Sequence, residues 1–455
     1  MREQWGSKFG FVMAAAGSAV GLGNIWKFPY LTGSKGGAAF VVVYLLAVFI
    51  LGLPLMIAEL VIGRHTEKDP VGAFKTMVGG TPWVLVGYLG VLSGFLILSY
   101  YSVVGGWTIG YIVKGVTGAL SNLSTPDAAA REFREFTVNP VLSVLFHLLF
   151  MAACMYIVIG GVRGGIEKWN KVLMPLLFVI LLVLIVRGFL AGGGEKGLTF
   201  YLTPDFSKIT GETIMAALGQ AFFSLSLGMG AMITYGSYLS PRERILSAAF
   251  WIVFLDTAVA LLAGFAIFPS VFAMELSPAE GPGLVFHVIP AVFARMPAGQ
   301  IFAVLFFILL FLAAVTSGVS LLEVVCAYLI DERGWSRRRA VLIMGSSIAL
   351  LGIPSALSFG CLSHISILGG TFFDFIDKLT SNYMLPIGGF FIAICLGWKY
   401  GLEKTIHELD PDTPFLSVKE LWAFTIKFIS PFVLLLVFVA LVREDVVALF
   451  KRLFT

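Results

Sequence analysis

Glycines and oxygen-bearing side chains cluster inside two apolar stretches of the chain, where a continuous helix would be expected. Residues 17–24 read GSAVGLGN, and residues 224–230 read SLSLGMG. Glycines interrupt a helix and free its backbone groups. Free carbonyls with hydroxyl and amide oxygens suit a hard cation such as sodium, while free N–H groups at a helix N-terminus suit an anion. We therefore expect the two stretches to bind ions, with a glycine kink that serves only packing as the alternative.

Further polar groups lie in other apolar stretches. Glu59, Asp256 and Glu323 are acids among apolar residues, and residues 313–320 read AAVTSGVS. Charge inside a membrane is costly and usually marks a functional site, so these positions are candidates for one. The alternatives are a paired or protonated structural acid, and hydroxyls that bond back to their own helix.

The sequence lacks the residue patterns on which common enzymes depend. There is neither a GxxxxGK[ST] phosphate loop nor a GxSxG nucleophile motif. The histidines are dispersed, with no pair spaced i, i+4: His65, His147, His287, His364 and His407. The sequence therefore argues against an enzyme and against a transporter driven directly by ATP.

The composition places these polar groups in a membrane. Of the 455 residues only 13% are charged and 58% are hydrophobic, with a mean hydropathy of +0.94. Soluble domains carry about 25% charged residues, so we predict an all-α integral membrane protein. Stretches of about 20 apolar residues cross a bilayer. Eleven qualify: 9–34, 39–63, 84–115, 140–160, 171–191, 213–238, 245–270, 298–330, 340–360, 374–397 and 421–442.

The distribution of basic residues predicts the orientation of these spans. Lys and Arg are concentrated in the loops that alternate onto one side, between 64 and 75, 163 and 171, 242 and 244, 333 and 339, and 399 and 404. By the positive-inside rule that side is the cytoplasm, and the N-terminus lies on it. An odd number of spans then places the C-terminal tail outside.

The two interrupted stretches predict an internal repeat. They open the first and the sixth of the eleven spans. Discontinuous helices at corresponding positions are typical of two inverted five-helix halves. We therefore predict a first repeat over 1–191, a second over 192–400, and an extra span with the C-terminal tail over 401–455, all within one structural domain.

Sequence motifs in three of the spans resemble those of a known family. GFVMAAAGSAVGLGNIWKFPY in span one, AFFSLSLGMGAMITYGSY in span six and AAVTSG in span eight are similar to motifs of the neurotransmitter:sodium symporter family. The resemblance runs through all eleven spans. It is closest to the bacterial amino-acid members, which resemble the leucine transporter. This implies sodium-coupled uptake by alternating access, in the inner membrane of a cell.

The resemblance implies two sodium sites. The first would comprise Ala19, Asn24 through its amide oxygen, Ser224 and Asp256, together with the carboxylate of the substrate. The second would comprise Gly17, Val20, Ala313, Thr316 and Ser317. No other cofactor is implied.

The resemblance also implies a substrate pocket and two gates. The pocket residues would be Ser18, Ala19, Gly21, Gly23, Ile97, Tyr101, Phe223, Ser226, Met229, Ser317 and Leu321. Phe223 over Tyr101 would form the outer lid. The extracellular gate would pair Lys27 with Asp377, although lysine lacks the bidentate fork of arginine. The cytoplasmic latch would comprise Arg2, Trp5, Tyr238 and Asp331.

Three positions indicate the substrate and the ions. Monoamine carriers of the family have an aspartate where this chain has Gly21, so the substrate should bring its own carboxylate. With an apolar pocket, we expect a neutral hydrophobic or aromatic L-amino acid. Many animal members hold chloride with a serine where this chain has Ala260, and Asp256 stands where many have asparagine. We therefore expect chloride not to be required.

Two other classes of protein stay open at this stage. A sodium-dependent amino-acid-sensing receptor would bind without accumulating substrate, and a structural subunit would not need the set of Asn24, Ser224 and Asp256. The expected partners are the amino acid, sodium ions and the lipid bilayer, without nucleic acid, for a monomer or a dimer.

Overall fold

The computed structural model describes residues 3–190, 194–278, 284–409 and 416–454. Within these ranges the chain is helical, and its one extended pairing is a single bridge between Ile367 and Gly370. The predicted all-α fold is confirmed. The predicted latch residue Arg2 lies outside the described residues.

Nine helices of the described chain are long and apolar enough to cross a membrane. They are α3 (Ala38–Thr66), α5 (Val84–Val116), α7 (Pro140–Ile159), α8 (Val162–Leu190), α12 (Ile245–Ala273), α14 (Gly299–Arg333), α15 (Arg337–Leu357), α16 (Phe372–Tyr400) and α17 (Val418–Leu441). Shorter helices connect them: α4 (Pro70–Val78), α6 (Pro126–Val138), α9 (Glu195–Leu202) and α13 (Leu284–Ala294).

The first span is a bent pair of helices. Helices α1 (Lys8–Ala19) and α2 (Gly23–Ser34) meet at an angle of 50°. The N–H of Val20 still bonds the carbonyl of Ala16, but Val20 itself has an extended ψ of 101°. Helical bonding resumes after Gly21 and Leu22 in a π-helical turn that contains Asn24. We call the α1–α2 pair span 1. Its break lies within residues 17–24, where the sequence predicts one.

The sixth span is divided more completely. Helices α10 (Gly211–Ser224) and α11 (Ala231–Gly236) are separated by residues 225–230. At a rise of ~1.5 Å per residue neither helix alone crosses a bilayer. Ser226, Gly228 and Gly230 all have positive φ, at 54°, 79° and 75°. A left-handed backbone is natural for glycine and costly for serine. The two glycines therefore favour a break at this point. We call the α10–α11 pair span 6.

The other spans surround these two. Helix α14 packs along α5, α7 and α8, and α1 packs against α8, α12 and α14. The outer faces carry large exposed apolar side chains, such as Leu190 at 74% and Val141 at 71% exposure. Apolar surface on this scale is suited to lipid rather than to water. The chain is therefore a multi-pass membrane protein with both breaks in its interior.

Candidate functional site

The two breaks enclose a small cavity. All eleven predicted pocket residues line it: Ser18, Ala19, Gly21, Gly23, Ile97, Tyr101, Phe223, Ser226, Met229, Ser317 and Leu321. Its volume is about 20 Å³, which is enough for about one water molecule. The structure thus brings the predicted set together, in a conformation in which side chains must move before an amino acid fits.

A hydrogen bond joins the two breaks at this cavity. Ser226, in the break of span 6, donates its hydroxyl to the carbonyl of Ser18 at 2.9 Å. Gln220 on α10 donates to the carbonyl of Gly23 at 2.7 Å. Side chains of span 6 therefore bond carbonyls of span 1 at Ser18 and Gly23, and the Gly23 carbonyl also accepts the backbone N–H of Phe28. The sequence alone did not indicate Gln220.

One face of the cavity is polar. The backbone N–H of Leu22 donates to the Tyr101 hydroxyl at 3.2 Å. A Cβ atom at Gly21 would lie 2.5 Å from the Ser317 hydroxyl oxygen and 2.9 Å from that of Tyr101. No side chain fits at position 21 unless these groups move. The face therefore presents hydroxyls and backbone groups to a ligand at close range.

The rest of the lining is mainly apolar. Ile97, Met229 and Leu321 are buried, and Phe223 is half-buried. The Phe223 ring lies against Gly23, where a Cβ would be 3.1 Å from the ring. An apolar wall opposite a polar face is the usual form of a small-molecule site.

Asn24, Ser224 and Asp256 form one buried cluster. The Asn24 amide nitrogen, which carries two protons, lies 2.7 Å from the Asp256 carboxylate, 2.9 Å from the Asp256 carbonyl and 3.0 Å from the Ser224 hydroxyl. The Ser224 hydroxyl donates to the same carboxylate at 2.9 Å. The three predicted side chains of the first sodium set are thus assembled, and Asn24 bonds Gly21, which lines the cavity together with Ala19.

The Asn24 amide turns its nitrogen, rather than its oxygen, toward the rest of this cluster. Its oxygen accepts the N–H of Gly21 at 3.0 Å and does not face Asp256. The physical reason is that an amide nitrogen donates whereas a carboxylate only accepts. Rotation of the amide would exchange the two atoms and direct its oxygen toward Ser224 and Asp256.

Thr316 and Ser317 face the break of span 1. The Thr316 hydroxyl lies 3.4 Å from the carbonyl of Val20, and the Ser317 hydroxyl lies 3.1–3.4 Å from the carbonyls of three residues: Gly17, Ser18 and Val20. A hydroxyl carries one proton, so it cannot donate to all three. Oxygens therefore outnumber donors where the second sodium set was predicted, and Ala313 contributes a further carbonyl 3.0 Å from Thr316.

Asn170 on α8 adjoins this second set and was not predicted. Its side chain is buried, and its amide oxygen has no hydrogen-bond partner among the described residues. A Cβ at Gly17 would lie 2.1 Å from that oxygen. The contact joins residues 153 positions apart in the chain, so only the folded structure places this oxygen beside the carbonyls of span 1.

Two of the intramembrane acids hold structural elements in place. Glu59 on α3 accepts the N–H of Gly228, in the break of span 6, at 2.7 Å. Glu323 on α14 accepts the Tyr238 hydroxyl at 2.7 Å and pairs with the Arg337 guanidinium at 2.6 Å. Both carboxylates are fully buried. Glu323 is hydrogen-bonded and paired with a cation, as buried charge requires, whereas the second carboxylate oxygen of Glu59 has no hydrogen-bond partner among the described residues.

The predicted extracellular gate is not closed by an ion pair. The Lys27 ammonium lies 4.4 Å from the centre of the Phe223 ring. The Asp377 carboxylate accepts the Ser381 hydroxyl at 2.9 Å. In the part of the chain that the structure describes, Lys27 and Asp377 form no ion pair with each other, and a cation–π contact links Lys27 to the predicted lid.

The predicted latch is present in part at the opposite end. The Trp5 indole N–H donates to the carbonyl of Tyr235 at 3.0 Å. The backbone N–H of Trp5 donates to the carbonyl of Tyr238 at 3.2 Å. Asp331 accepts the backbone N–H of Asp69 at 3.0 Å. Glu3, which the sequence did not indicate, pairs with Arg337 at 3.3 Å. The N-terminal segment is therefore held against span 6 and α15.

A helical membrane protein in which two broken spans enclose a buried, oxygen-rich cavity is a secondary transporter and not an enzyme. The sequence profile of the sodium:neurotransmitter symporter family matches residues 2–129 and 137–451, and the chain belongs to this family.

Similar proteins agree with this assignment. An uncharacterised sodium-dependent transporter of Bacillus subtilis, YhdH, is 40% identical over 96% of this chain and 97% of its own length. One of Haemophilus influenzae is 37% identical over 96% of this chain and 98% of its own. The crystal structure of MhsT in complex with L-phenylalanine has a TM-score of 0.90 and 46% identity, covering 97% of this chain and 100% of that one.

Proposed function

We propose that the protein is a sodium-coupled symporter that takes up a neutral hydrophobic or aromatic L-amino acid by alternating access. The observation that carries the proposal is the closed cavity between the two breaks, with hydroxyls and backbone groups on one face and apolar side chains on the other. The L-phenylalanine in the similar MhsT structure supports this substrate class.

The substrate carboxylate would bind beside Gly21. An aspartate there would meet the hydroxyls of Tyr101 and Ser317, which lie within 2.9 Å of a Cβ. With no anionic side chain at position 21, a carboxylate at that point of the pocket would have to come from the ligand. The ammonium would face Ala19, Phe223 and Ser226.

The apolar wall would set the preference for side chains. Met229 lines the cavity and is buried, and an unbranched thioether adapts to ligands of different shape. Met229→Phe would shrink the space and shift the preference from aromatic toward smaller aliphatic amino acids. Competition of unlabelled amino acids with labelled uptake measures this ranking, and an unchanged ranking would place residue 229 away from the substrate.

We infer two sodium ions per cycle. Their ligands would be the cluster of Asn24, Ser224 and Asp256 with Ala19, and the oxygens around Thr316 and Ser317 with Gly17, Val20 and Ala313. Oxygen ligands of this kind suit a hard monovalent cation. Chloride is not part of the proposed cycle, because Asp256 supplies a negative charge at the first site.

The proposed arrangement in the membrane follows the sequence. The protein lies in the inner membrane of the cell, with its N-terminus in the cytoplasm. Residues 1–191 and 192–400 form two inverted repeats, and 401–455 form an extra span with the C-terminal tail. Trp5 then closes the cytoplasmic side and Phe223 the outer side. We propose that the protein acts as a monomer or dimer, with no nucleic-acid partner.

Coupling through Asn24 provides the test. If Asn24 and the substrate carboxylate share one sodium ion, sodium tightens the binding of the amino acid. The amino acid then tightens the binding of sodium by the same factor. Binding of labelled amino acids to the purified chain should be strong in sodium and weak in potassium. Asn24→Ala should weaken both ligands, while Asn122→Ala, at an exposed asparagine, should change neither. Equal affinities in sodium and potassium would overturn the proposal.

Proteoliposomes separate the transporter from a receptor. A symporter accumulates the amino acid when a sodium gradient is imposed, whereas a sensor binds it without accumulation. Sodium-dependent binding without uptake would favour the receptor.

A further inference from the structure

We propose that His65, His407 and Glu408 form a binding site for a divalent transition metal such as Zn²⁺, apart from the transport site. One ligand atom from each residue lies within 4.8 Å of the other two. His65 stands in the last turn of α3, and the other two follow α16 in the short 3₁₀ turn Ile406–Glu408. The proposal does not depend on the proposed transport function.

Two of the three distances between ligand atoms match a tetrahedral metal site, and the third is within 4.8 Å. The Glu408 Oε1 atom lies 3.3 Å from Nδ1 of His65 and 3.5 Å from Nε2 of His407. Zinc binds such atoms at ~2.0–2.2 Å, so two ligands of one tetrahedral ion are about 3.3–3.5 Å apart. Both distances exceed that of an ordinary charge-assisted hydrogen bond, ~2.7–2.9 Å. The spacing therefore fits atoms that share an ion better than atoms that bond each other.

Neighbouring side chains orient two of the ligands. The Nε2 atom of His65 lies 2.8 Å from the Tyr400 hydroxyl. Donation from Nε2 to that oxygen fixes the tautomer that leaves the Nδ1 lone pair free for a metal. The other carboxylate oxygen of Glu408 accepts from Nε of Arg64 at 2.8 Å. Metal-binding histidines and carboxylates are commonly held by such second hydrogen bonds.

The chemistry selects the class of ion. Two imidazoles and one carboxylate suit zinc, nickel or copper, whereas magnesium and calcium prefer oxygen ligands. Arg64 and Lys404 are positively charged neighbours, and the Lys404 ammonium lies 4.7 Å from the Tyr400 ring. Their charges disfavour a cation that is bound only by electrostatic attraction and not by coordination to the imidazoles. Three protein ligands leave the fourth position for water or another group. His407 is 65% exposed, so metal can enter from solvent.

The bound metal would join two parts of the chain that are distant in sequence. It would fasten the end of α3 to the segment that follows α16, at the end of the molecule that carries residues 3–7. Arg64, at the end of α3, already links these parts through the carbonyl of Glu408. We therefore expect zinc to raise the thermal stability of the protein.

Zinc binding to the full chain, purified without a histidine tag and reconstituted in nanodiscs, tests the site. Competition between zinc chloride and a chromophoric chelator at pH 7.5 should give one ion per chain, with magnesium unable to displace it. His407→Ala and Glu408→Gln should each weaken binding at least about tenfold, and Tyr400→Phe about tenfold. The zinc-dependent rise in melting temperature should vanish in His407→Ala.

His364→Ala is the matched control, because His364 is also exposed but stands apart from the cluster; it should bind zinc like the wild type. Equal zinc affinity in the wild type and His407→Ala would overturn the proposal. A wild type that binds no zinc would also overturn it, since the three side chains would then only contact one another. His407→Ala decides the outcome even if Glu408→Gln fails to fold, because the exposed imidazole contributes little packing.

Discussion

At the scale of single residues, position 21 leaves no room for a side chain between the backbone of span 1 and the cavity. A Cβ atom there would lie within 2.9 Å of the hydroxyl oxygens of both Ser317 and Tyr101, and the Tyr101 hydroxyl is itself held by the N–H of Leu22. Real Cβ atoms do not approach other atoms so closely. Glycine therefore gives a ligand direct access to the backbone of span 1.

Gly21→Ala should weaken amino-acid binding, because the methyl group displaces the two hydroxyls. Overpacking costs about 1–3 kcal/mol, which corresponds to a loss of roughly 5- to 150-fold in affinity. Gly219→Ala is the matched control, since a Cβ at Gly219 meets nothing within 4 Å. Equilibrium binding of labelled amino acid measures both variants. Unchanged affinity in Gly21→Ala would place the ligand elsewhere.

Residues of the two breaks could be predicted from the sequence, whereas several residues that support them could not. Glycines beside serine or asparagine in an apolar stretch are a local signal, as at Gly17 and Ser226. Asn170 and Gln220 act through contacts with residues 153 and 197 positions away. A single asparagine or glutamine in an apolar helix gives no local sign of which side it faces.

At the scale of elements, the positions of the spans were predictable and some of their ends were not. The prediction began the fifth span at 171, but α8 begins at Val162. Its first turns contain Arg163, Glu167 and Lys168, and these charged residues lower the mean hydropathy of the segment. Glu167 is nevertheless buried, where it accepts the N–H of Gly6 at 2.6 Å and pairs with Lys171 at 2.5 Å. Tertiary partners therefore extend the helix beyond its apolar part.

The start of α4 provides a prediction about pH. Asp69 caps this helix by accepting the N–H groups of Val71 and Gly72. Burial, and then the neighbouring carboxylate of Asp331, raises the pKa of Asp69 to about 7. An acid with a raised pKa in the folded state contributes stability below its unfolded pKa of ~4 and loses it as the pH rises through 7.

The melting temperature of the wild type should therefore fall between pH 5 and pH 8 relative to that of Asp69→Asn. Asparagine keeps the capping acceptor and has no charge to lose or gain. Asp127→Asn, at an exposed aspartate in the first turn of α6, should follow the wild type at every pH. Parallel curves for the wild type and Asp69→Asn would show that Asp69 does not titrate in this range.

At the scale of the whole molecule, the charge carried through the low-dielectric interior has to be balanced. The proposed load of two sodium ions and a neutral zwitterion would be net positive, and a nearby negative charge lowers the cost of such a load. Asp256 on α12 is fully buried and contacts both Asn24 and Ser224. Ala260, one turn further along α12, is also fully buried and offers no hydroxyl. In the proposed cycle, Asp256 would therefore supply the negative charge from within the protein.

Uptake should accordingly be independent of chloride. With chloride replaced by gluconate, wild-type proteoliposomes should accumulate labelled amino acid at the same rate under a sodium gradient. Asp256→Asn removes the negative charge, and Ala260→Ser adds a hydroxyl that can help to hold an anion. The double variant should therefore gain stimulation by chloride, whereas Ala260→Ser alone should not, because Asp256 would repel the anion. A collapse of wild-type uptake in gluconate would show that the charge on Asp256 does not replace chloride.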